Sequence, residues 1–550
     1  MKKTRLCLML AVLAAMLWSC GNRTQELTNA IPQSAVMVFH FDSKTLFQKA
    51  DYNPVNNPFI KERIDQIKNQ GNEKQKKLAD DFLKNPNSAT GIDLLGDCFM
   101  YMDGQTVGFL WKMNDAKKFK QLLTEQLDMP ANILKEEDGI SYVNMGYGAP
   151  GVGWTKDKLL VVQNTNYFNR VDMGELVKKQ LTQKADSSIN ANQSFGKFVQ
   201  DKKDISLFYA YDNMAKMYVN MMSDLINMGM YDDDNAAELA QNVTQVFEKV
   251  MEEFKGTNTG TFISFEKGGI EATSNYYFNS PQEQKRVTAL FDQLTGELTG
   301  EQIKYFAGKP LLLLSFAVKG NGMYDYINNI GVIEMLNKLG KTEQLDSLGI
   351  NLQSLISNLN GDITFAFNNV NETPSSIGNY EYQKTVPEFS VFADLKDPQS
   401  TLNLIVAKIG ENLNFVKIDD NTYSFKKYDA DAFLGIKGGT LYVTNSKTVY
   451  DNITSGTVVN NDFASKGKGK TVFIFGNLSP LQNLSTWSEL DPQGLALAKK
   501  GFDLLGDYYF TSDKNLSGNG KFEITDSSRN SLAIIVAYLD SLFTYAAQNF

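Results

Sequence analysis

Histidine occurs once in this chain, at position 40, and cysteine three times among 550 residues. So little histidine removes most catalysis built on an imidazole base and nearly all zinc chemistry built on several ligands. An H-E-x-x-H metal helix needs two histidines and is excluded. The sequence contains no G-x-S-x-G nucleophile elbow. The glycine-rich stretch GYGAPGVGWTK (Gly146, Gly148, Gly151, Gly153) lacks the Lys-Ser or Lys-Thr pair of a phosphate loop, and a strand follows it rather than a helix. A hairpin loop is the expectation there. Hydrophobic residues make up 42% and charged residues 21%, an ordinary globular balance. That excludes a mostly disordered chain, a collagen-like chain and a polytopic membrane protein.

One long apolar run is present. Lys2, Lys3 and Arg5 precede an unbroken stretch from Leu6 to Trp18. It suits a secretory signal and is too short for a bilayer, which takes about 20 residues. The run ends Leu17-Trp18-Ser19-Cys20. This ending resembles the bacterial lipobox, which implies cleavage after Ser19 and thioether lipidation of Cys20. Trp18 stands where the lipobox carries a smaller residue. A plain secretory peptide with an incidental Cys20 is the alternative. Residues 1–19 are then a signal peptide and residues 20–30 a polar, lipidated tether. Removing the signal takes three cations with it, so the net charge goes from −9 to −12. Cys98 is left as the one unmodified thiol, so no intramolecular disulfide is expected. An acidic, exported body argues against nucleic acid as a partner. Gly21 after the cysteine, rather than Asp, favours the outer membrane, with the body in the periplasm and surface exposure left open.

The rest of the chain reads as a tandem duplication. VMVFHFD from Val36 answers LLLLSFA from Leu311. GDCFMYM from Gly96 answers GDITFAF from Gly361, and VGFLWKMNDAKKFKQLL from Val107 answers FSVFADLKDPQSTLNLI from Phe389. The same order continues through ILKEEDGISYV and FVKIDDNTYSF, then VGWTKDKLLVVQN and LGIKGGTLYVTN. The common order and spacing carry the argument, since single hydrophobic strands resemble one another anyway. DISLFYAYDN from Asp204 and KTVFIFGNL from Lys470 open a further shared unit, each followed by an aromatic hairpin and an amphipathic helix. GIDLLGD from Gly91 recurs as GFDLLGD from Gly501, and in both a helix is expected to end on glycine before a strand.

Turn signals and periodicity set the fold class. Asp103-Gly104, Lys267-Gly268-Gly269 and Lys437-Gly438-Gly439 sit between strand-like runs and predict hairpins. Leu239, Val243, Val246, Val250 and Phe254 step at helical spacing and predict one apolar face. The expected fold is α+β: two tandem related lobes, residues 31–300 and 301–550, with antiparallel sheets built from hairpins and amphipathic helices packed on one face. The lobes are expected to meet near residues 297–309. Residues 370–383 read as a long hairpin tip, and residues 459–470 as an exposed connection. The lipobox, the opening IPQSAVMVFHFD from Ile31 and this strand order resemble an uncharacterised family of Gram-negative envelope lipoproteins, one of the domain-of-unknown-function families. No catalytic residue is implied by that resemblance.

Single residues give little chemistry. His40 would need a carboxylate to orient it and a nucleophile beside it. The plainer account is a strand histidine packed between sheet and helix. Asp42 is expected to cap the next helix. Cys98 opens a strand with no cationic neighbour in sequence, as a buried, inert thiol would. Asp232, Asp233 and Asp234 lack the glycine and glutamate of a calcium loop and fit a helix N-terminus. Six methionines (Met214, Met217, Met221, Met222, Met228 and Met230) fall within 17 residues of one helical stretch. They fit a core stripe, a Cu(I) site or an adaptable apolar groove centred on Met214, Met217 and Met221. No cofactor is implied by these patterns.

Three functions remain open. The first is a non-enzymatic envelope lipoprotein, held to the membrane by lipid on Cys20, that binds an envelope protein, lipid or glycan. The second is a carboxylate-dependent hydrolase of envelope or dietary polymers, with two acids of opposed environment in a cleft. The third is a carrier with an apolar cavity between sheet and helices.

Overall fold

The structure is a computed structural model that describes residues 24, 26–51, 65, 68–70, 72–143, 149–165, 171–227, 234–347, 349–377, 380–427, 430–485, 487 and 490–549. Ser19, Cys20, Gly146, Gly148, Met228, Met230, Asp232 and Asp233 lie outside the described residues.

Among the described residues, ten strands form the first half: β1 (Met37–Asp42), β2 (Asp97–Met102), β3 (Thr106–Lys112), β4 (Leu134–Glu137), β5 (Ile140–Val143), β6 (Gly151–Trp154), β7 (Lys158–Asn164), β8 (Ile205–Ala210), β9 (Thr257–Glu266) and β10 (Gly269–Phe278). Ten form the second: β11 (Leu312–Lys319), β12 (Leu359–Ile377), β13 (Tyr380–Leu395), β14 (Val416–Asp419), β15 (Thr422–Lys427), β16 (Ala430–Lys437), β17 (Thr440–Thr444), β18 (Val472–Asn477), β19 (Leu505–Ser512) and β20 (Gly518–Ile524). The helices that matter below are α1 (Ser43–Lys49), α2 (Pro86–Thr90), α3 (Ala116–Gln121), α4 (Met173–Thr182), α5 (Gln193–Asp201), α6 (Tyr211–Asn227), α7 (Asp234–Glu253), α8 (Pro281–Leu294), α9 (Lys447–Ser455), α10 (Pro492–Leu504) and α11 (Ser531–Asn549).

The fold is α+β and its sheet is antiparallel throughout. In the first half the strand order is β4-β5-β6-β7-β3-β2-β1-β8-β9-β10. In the second it is β14-β15-β16-β17-β13-β12-β11-β18-β19-β20. The two orders match pair for pair. β10 then pairs with β20, from Gly269 opposite Glu523 to Ser274 opposite Gly518, so the strands form one 20-stranded sheet. Hairpin turns supply much of the connection. Gly104, Gly268 and Gly438 have φ of 87°, 78° and 63°, the left-handed region that glycine enters at no steric cost. The outer strands β4 and β14 are four residues long and carry Lys135, Glu136 and Glu137, and Lys417 and Asp419.

Each half has its own core on one sheet face. In the first, Val38, Phe99, Leu110, Leu160, Phe208 and Phe262 meet Val177 of α4 and Phe195 and Phe198 of α5. In the second, Leu313, Phe392, Tyr442, Phe473 and Phe475 meet Val449 and Ile453 of α9. Gly151 and Gly153, expected in a hairpin loop, lie in β6 instead. A Cβ on either would meet Val177 within 2.7 Å, so their absence of side chain lets α4 lie close on the strand. Residues 297–309, expected where two lobes meet, sink into the second core through Leu298, Ile303 and Phe306. Leu27, Ala30 and Ile31 do the same in the first core, although Leu27 and Ala30 fall within the expected polar tether. Phe463, in the expected exposed connection, is buried and stacks on Phe475 with centroids 4.2 Å apart.

Helices occupy both sheet faces rather than the one expected from the hairpins. Leu160 belongs to the first core, while its neighbour Leu159 packs with Trp154 and Phe119 of α3. Successive strand residues point to opposite faces, so α3 and α4 cover the same strands from opposite sides. Between the two cores, the core-side face of the seam is polar: Glu271 stands across from Lys521, and Thr273 from Asn519. The other face of the seam is apolar, with Ile270 opposite Phe522.

The seam tolerates no added atom at Gly269, where a Cβ would lie 2.6 Å from the Phe522 carbonyl oxygen. Gly269→Ala is expected to cost about 1–3 kcal/mol by overpacking. The exposed neighbour change Glu271→Ala should stay within about 0.5 kcal/mol. Denaturant midpoints of the two variants check this.

Candidate functional site

The last two helices build an apolar cavity on the seam. α10 starts at Asp491, whose carboxylate accepts from the backbone N–H of Gln493 (2.8 Å) and Gly494 (3.0 Å), with Pro492 at the first helical position. It ends directly in β19. α11 starts at Asn530, whose side chain accepts from Leu532 N–H (3.0 Å) and donates to the Phe265 carbonyl (2.7 Å). That second bond ties the helix to β9 of the first half. α10 and α11 touch at two glycines. A Cβ on Gly494 would lie 2.6 Å from the Tyr545 hydroxyl, and one on Gly501 would lie 2.3 Å from the Tyr538 hydroxyl. Both pairs are seven residues apart and run in opposite directions, so the helices are antiparallel. Gly501, expected to end a helix like Gly91 of the first repeat, therefore sits inside α10, while Gly91 does close α2 with φ 79°.

Between these helices and β20 lies a cavity of about 570 Å³, within the size range of small-molecule sites. Leu497, Ala498 and Phe502 line it from α10, and Ile535, Tyr538 and Leu542 from α11. Phe522 and Ile524 form its floor, on the face of β20 away from the polar stripe. The polar tips in its wall are already used. Tyr538 donates to the Leu497 carbonyl (3.1 Å), Tyr545 to the Asp491 carboxylate, and Trp487 Nε1 to the Leu481 carbonyl (2.7 Å). In the first half the matching elements, α7, α8 and β10, bring aromatic rings together. Phe254 meets Phe291 edge-on at 6.3 Å and stacks on Tyr211 at 5.6 Å, and Tyr276 meets Phe291 at 6.3 Å.

The residues singled out in sequence lie elsewhere. His40 is fully buried, and its Nε2 donates to Asp97 Oδ1 (2.7 Å). Lys202 Nζ binds the other carboxylate oxygen at 2.7 Å. Burial pushes Asp97 upward, but the hydrogen bond from His40 and the Lys202 charge outweigh it and hold its pKa at about 2. A carboxylate partner is thus present, yet the histidine itself has no access to solvent. Asp42 caps α1, accepting from Thr45 N–H (3.0 Å). Burial and the Asp97 charge push the Cys98 thiol up to about 12, so it is no thiolate at neutral pH. Met214 and Met217 of α6 are half-buried, Met221 is 48% exposed and Met222 is buried. Met214 Sδ accepts from the Tyr209 hydroxyl, and Met217 lies against Gly104. None of the three proposed groove methionines lines the cavity under α10 and α11.

Two acids of opposed environment do occur, but in different halves. Asp97 opens β2, whereas Asp362 lies in β12. Burial pushes Asp362 upward, against donors from Thr299 and Gly300, and nearby Asp394 adds to the rise. Asp362 and Asp394 serve structure: the first accepts from Thr299 Oγ1 (2.7 Å) and the second from Gln302 Nε2 (2.9 Å), fixing the segment before β11. Among the described residues no group of three or more His, Cys, Asp or Glu side chains could hold a metal, and no helix is long and apolar enough to cross a membrane.

A family model described as Domain of unknown function (DUF4836) matches residues 27–485. The chain belongs to the DUF4836 family. No curated protein and no solved structure matches it. Both cores fall largely within the matched span, while every cavity-lining residue, from Trp487 to Tyr545, lies past its end. The cavity is therefore built by helices that follow the matched span. Sequence reasoning missed it, although the heptad spacing of Gly494 and Gly501, and of Tyr538 and Tyr545, was there to be paired.

The Asp97 cluster makes a pH prediction. A carboxylate whose pKa falls on folding, here from 3.8 to about 2, contributes stability that is fully present above the unfolded value and is lost as pH falls through the folded one. Asp97→Asn should lower the thermal midpoint at pH 6. The gap between variant and wild type should narrow between pH 4 and pH 2. A gap that stays constant across that window counts against the ionised Asp97 as its source.

Proposed function

We propose that this DUF4836 protein is an outer-membrane lipoprotein of the Gram-negative envelope, anchored by lipid on Cys20 after cleavage behind Ser19, whose body binds an apolar ligand. The cavity under α10 and α11 carries the ligand reading. It is roomy, it is walled almost wholly by hydrocarbon, and it stands where the other half of the same sheet brings aromatic rings into contact. A space left open where the paired half packs rings costs packing energy, and function is the counterpart that would retain it. The anchor reading rests on the basic start, the apolar run and the Leu17-Trp18-Ser19-Cys20 ending. A carboxylate-dependent hydrolase gains nothing from Asp97 and Asp362, which occupy separate halves. Binding without catalysis is the better account.

Two measurements test the two parts. Cys20→Ala should move the protein from the membrane fraction to the soluble periplasmic fraction, and membrane retention of this variant refutes the anchor. A polarity-sensitive apolar fluorophore should bind wild-type protein and lose at least about tenfold in affinity in Ala498→Phe, which fills the cavity, with the thermal midpoint held. Equal binding by both proteins places the ligand elsewhere.

A further inference from the structure

We infer that the cavity takes the hydrocarbon chain of a lipid lengthwise and leaves that lipid's headgroup outside; the inference rests on the apolar-ligand reading above. Three observations carry it. The first is shape. The helical lining residues run from Gly494 to Leu504 on one wall and from Ile534 to Tyr545 on the other. At 1.5 Å per residue the walls are about 15 and 16 Å long. Two antiparallel walls of that length make a slot, which suits a linear chain.

The second is wall chemistry. No Asp, Glu, Lys, Arg or His lines the slot, and the Tyr538, Tyr545 and Trp487 donors are each committed to a protein acceptor. A headgroup drawn inside would lose its water and find no partner, which costs several-fold more than a methylene gains. The third is the rim. Leu490 and Leu539 both line the slot and are 39% and 42% exposed, so it opens to the outside over an apolar lip. Phe543, 65% exposed, lies one turn further along α11. A chain enters past these residues while its polar end stays in solvent.

Gly494 and Gly501 set the gauge of the slot. Each lets a tyrosine hydroxyl lie where a Cβ would be, and the two contacts hold α11 at a fixed distance from α10. The fit is thus to chain length and width, with no readout of charge.

The test is competition against the bound fluorophore by alkyl chains of rising length carrying a neutral alcohol, a carboxylate or a quaternary ammonium head, at low and high salt, on the full-length Cys20→Ala protein. Affinity should rise about fourfold per methylene until the slot is full. It should differ little between heads and change little with salt. Affinity that ignores chain length, or that follows head charge and salt, overturns the inference while leaving an apolar site in place. Failure of the fluorophore to bind at all instead overturns the underlying reading. A parallel arm on the lipidated wild-type protein identifies the source. Binding equal to that of the Cys20→Ala protein supports a free lipid chain, and binding blocked only in the lipidated protein supports a chain of its own anchor; both keep the chemistry proposed.

Discussion

The architecture depends on one ladder, β10 against β20. Each half folds its strands in the same order and closes its own core, and neither core reaches the other. What joins them is backbone hydrogen bonding along the seam and the glycine that allows it, Gly269 against the Phe522 carbonyl. The crossing helices secure the join. α11 leaves the second half and is tied by Asn530 to β9 of the first. Thr295, just past α8 of the first half, bridges to Val318 of β11. The ladder also fixes the two surfaces of the seam, polar on the core side and apolar behind, because strand alternation carries through from one half to the other.

A second device recurs at several scales: a tyrosine laid over a glycine. In the sheet, Tyr101 faces Gly108, Tyr442 faces Gly435 and Tyr508 faces Gly476 as direct cross-strand partners. In each case a Cβ on the glycine would meet the ring or its hydroxyl within 2.5 Å. Between helices, Gly494 and Gly501 play the same part for Tyr545 and Tyr538. In the sheet the device closes a gap. Between α10 and α11 it sets the distance between two helices whose facing sides line a cavity.

Much of the fold was legible because its signals are local. Asp103-Gly104 and Lys267-Gly268 name their own turns, and the order of the strand blocks announces the repeat. Asp42 and Cys98 behave as their neighbours in sequence imply. The failures share a cause, which is that the deciding contact comes from far along the chain. Gly501 looks like the terminator that Gly91 is, until Tyr538 claims its side-chain space. Leu239 and Val243 fit a buried stripe, yet stand 39% and 37% exposed on α7. Residues 297–309 read as the place where two lobes meet because their few apolar side chains are scattered, but those few reach a core whose strands extend as far along the chain as Phe473 and Phe475. The cavity was invisible for the same reason. No residue of it is unusual alone, and only pairing α10 with α11 over β20 reveals the space.

Fusing the halves also changes what the molecule shows to its neighbours. Two separate ten-stranded sheets would present four open borders, each a template for an unwanted strand from another copy. Among the described residues the joined sheet keeps two, and these are the short, charge-bearing β4 and β14. Pairing two matched halves edge to edge thus doubles the sheet's breadth without adding to its sticky margins.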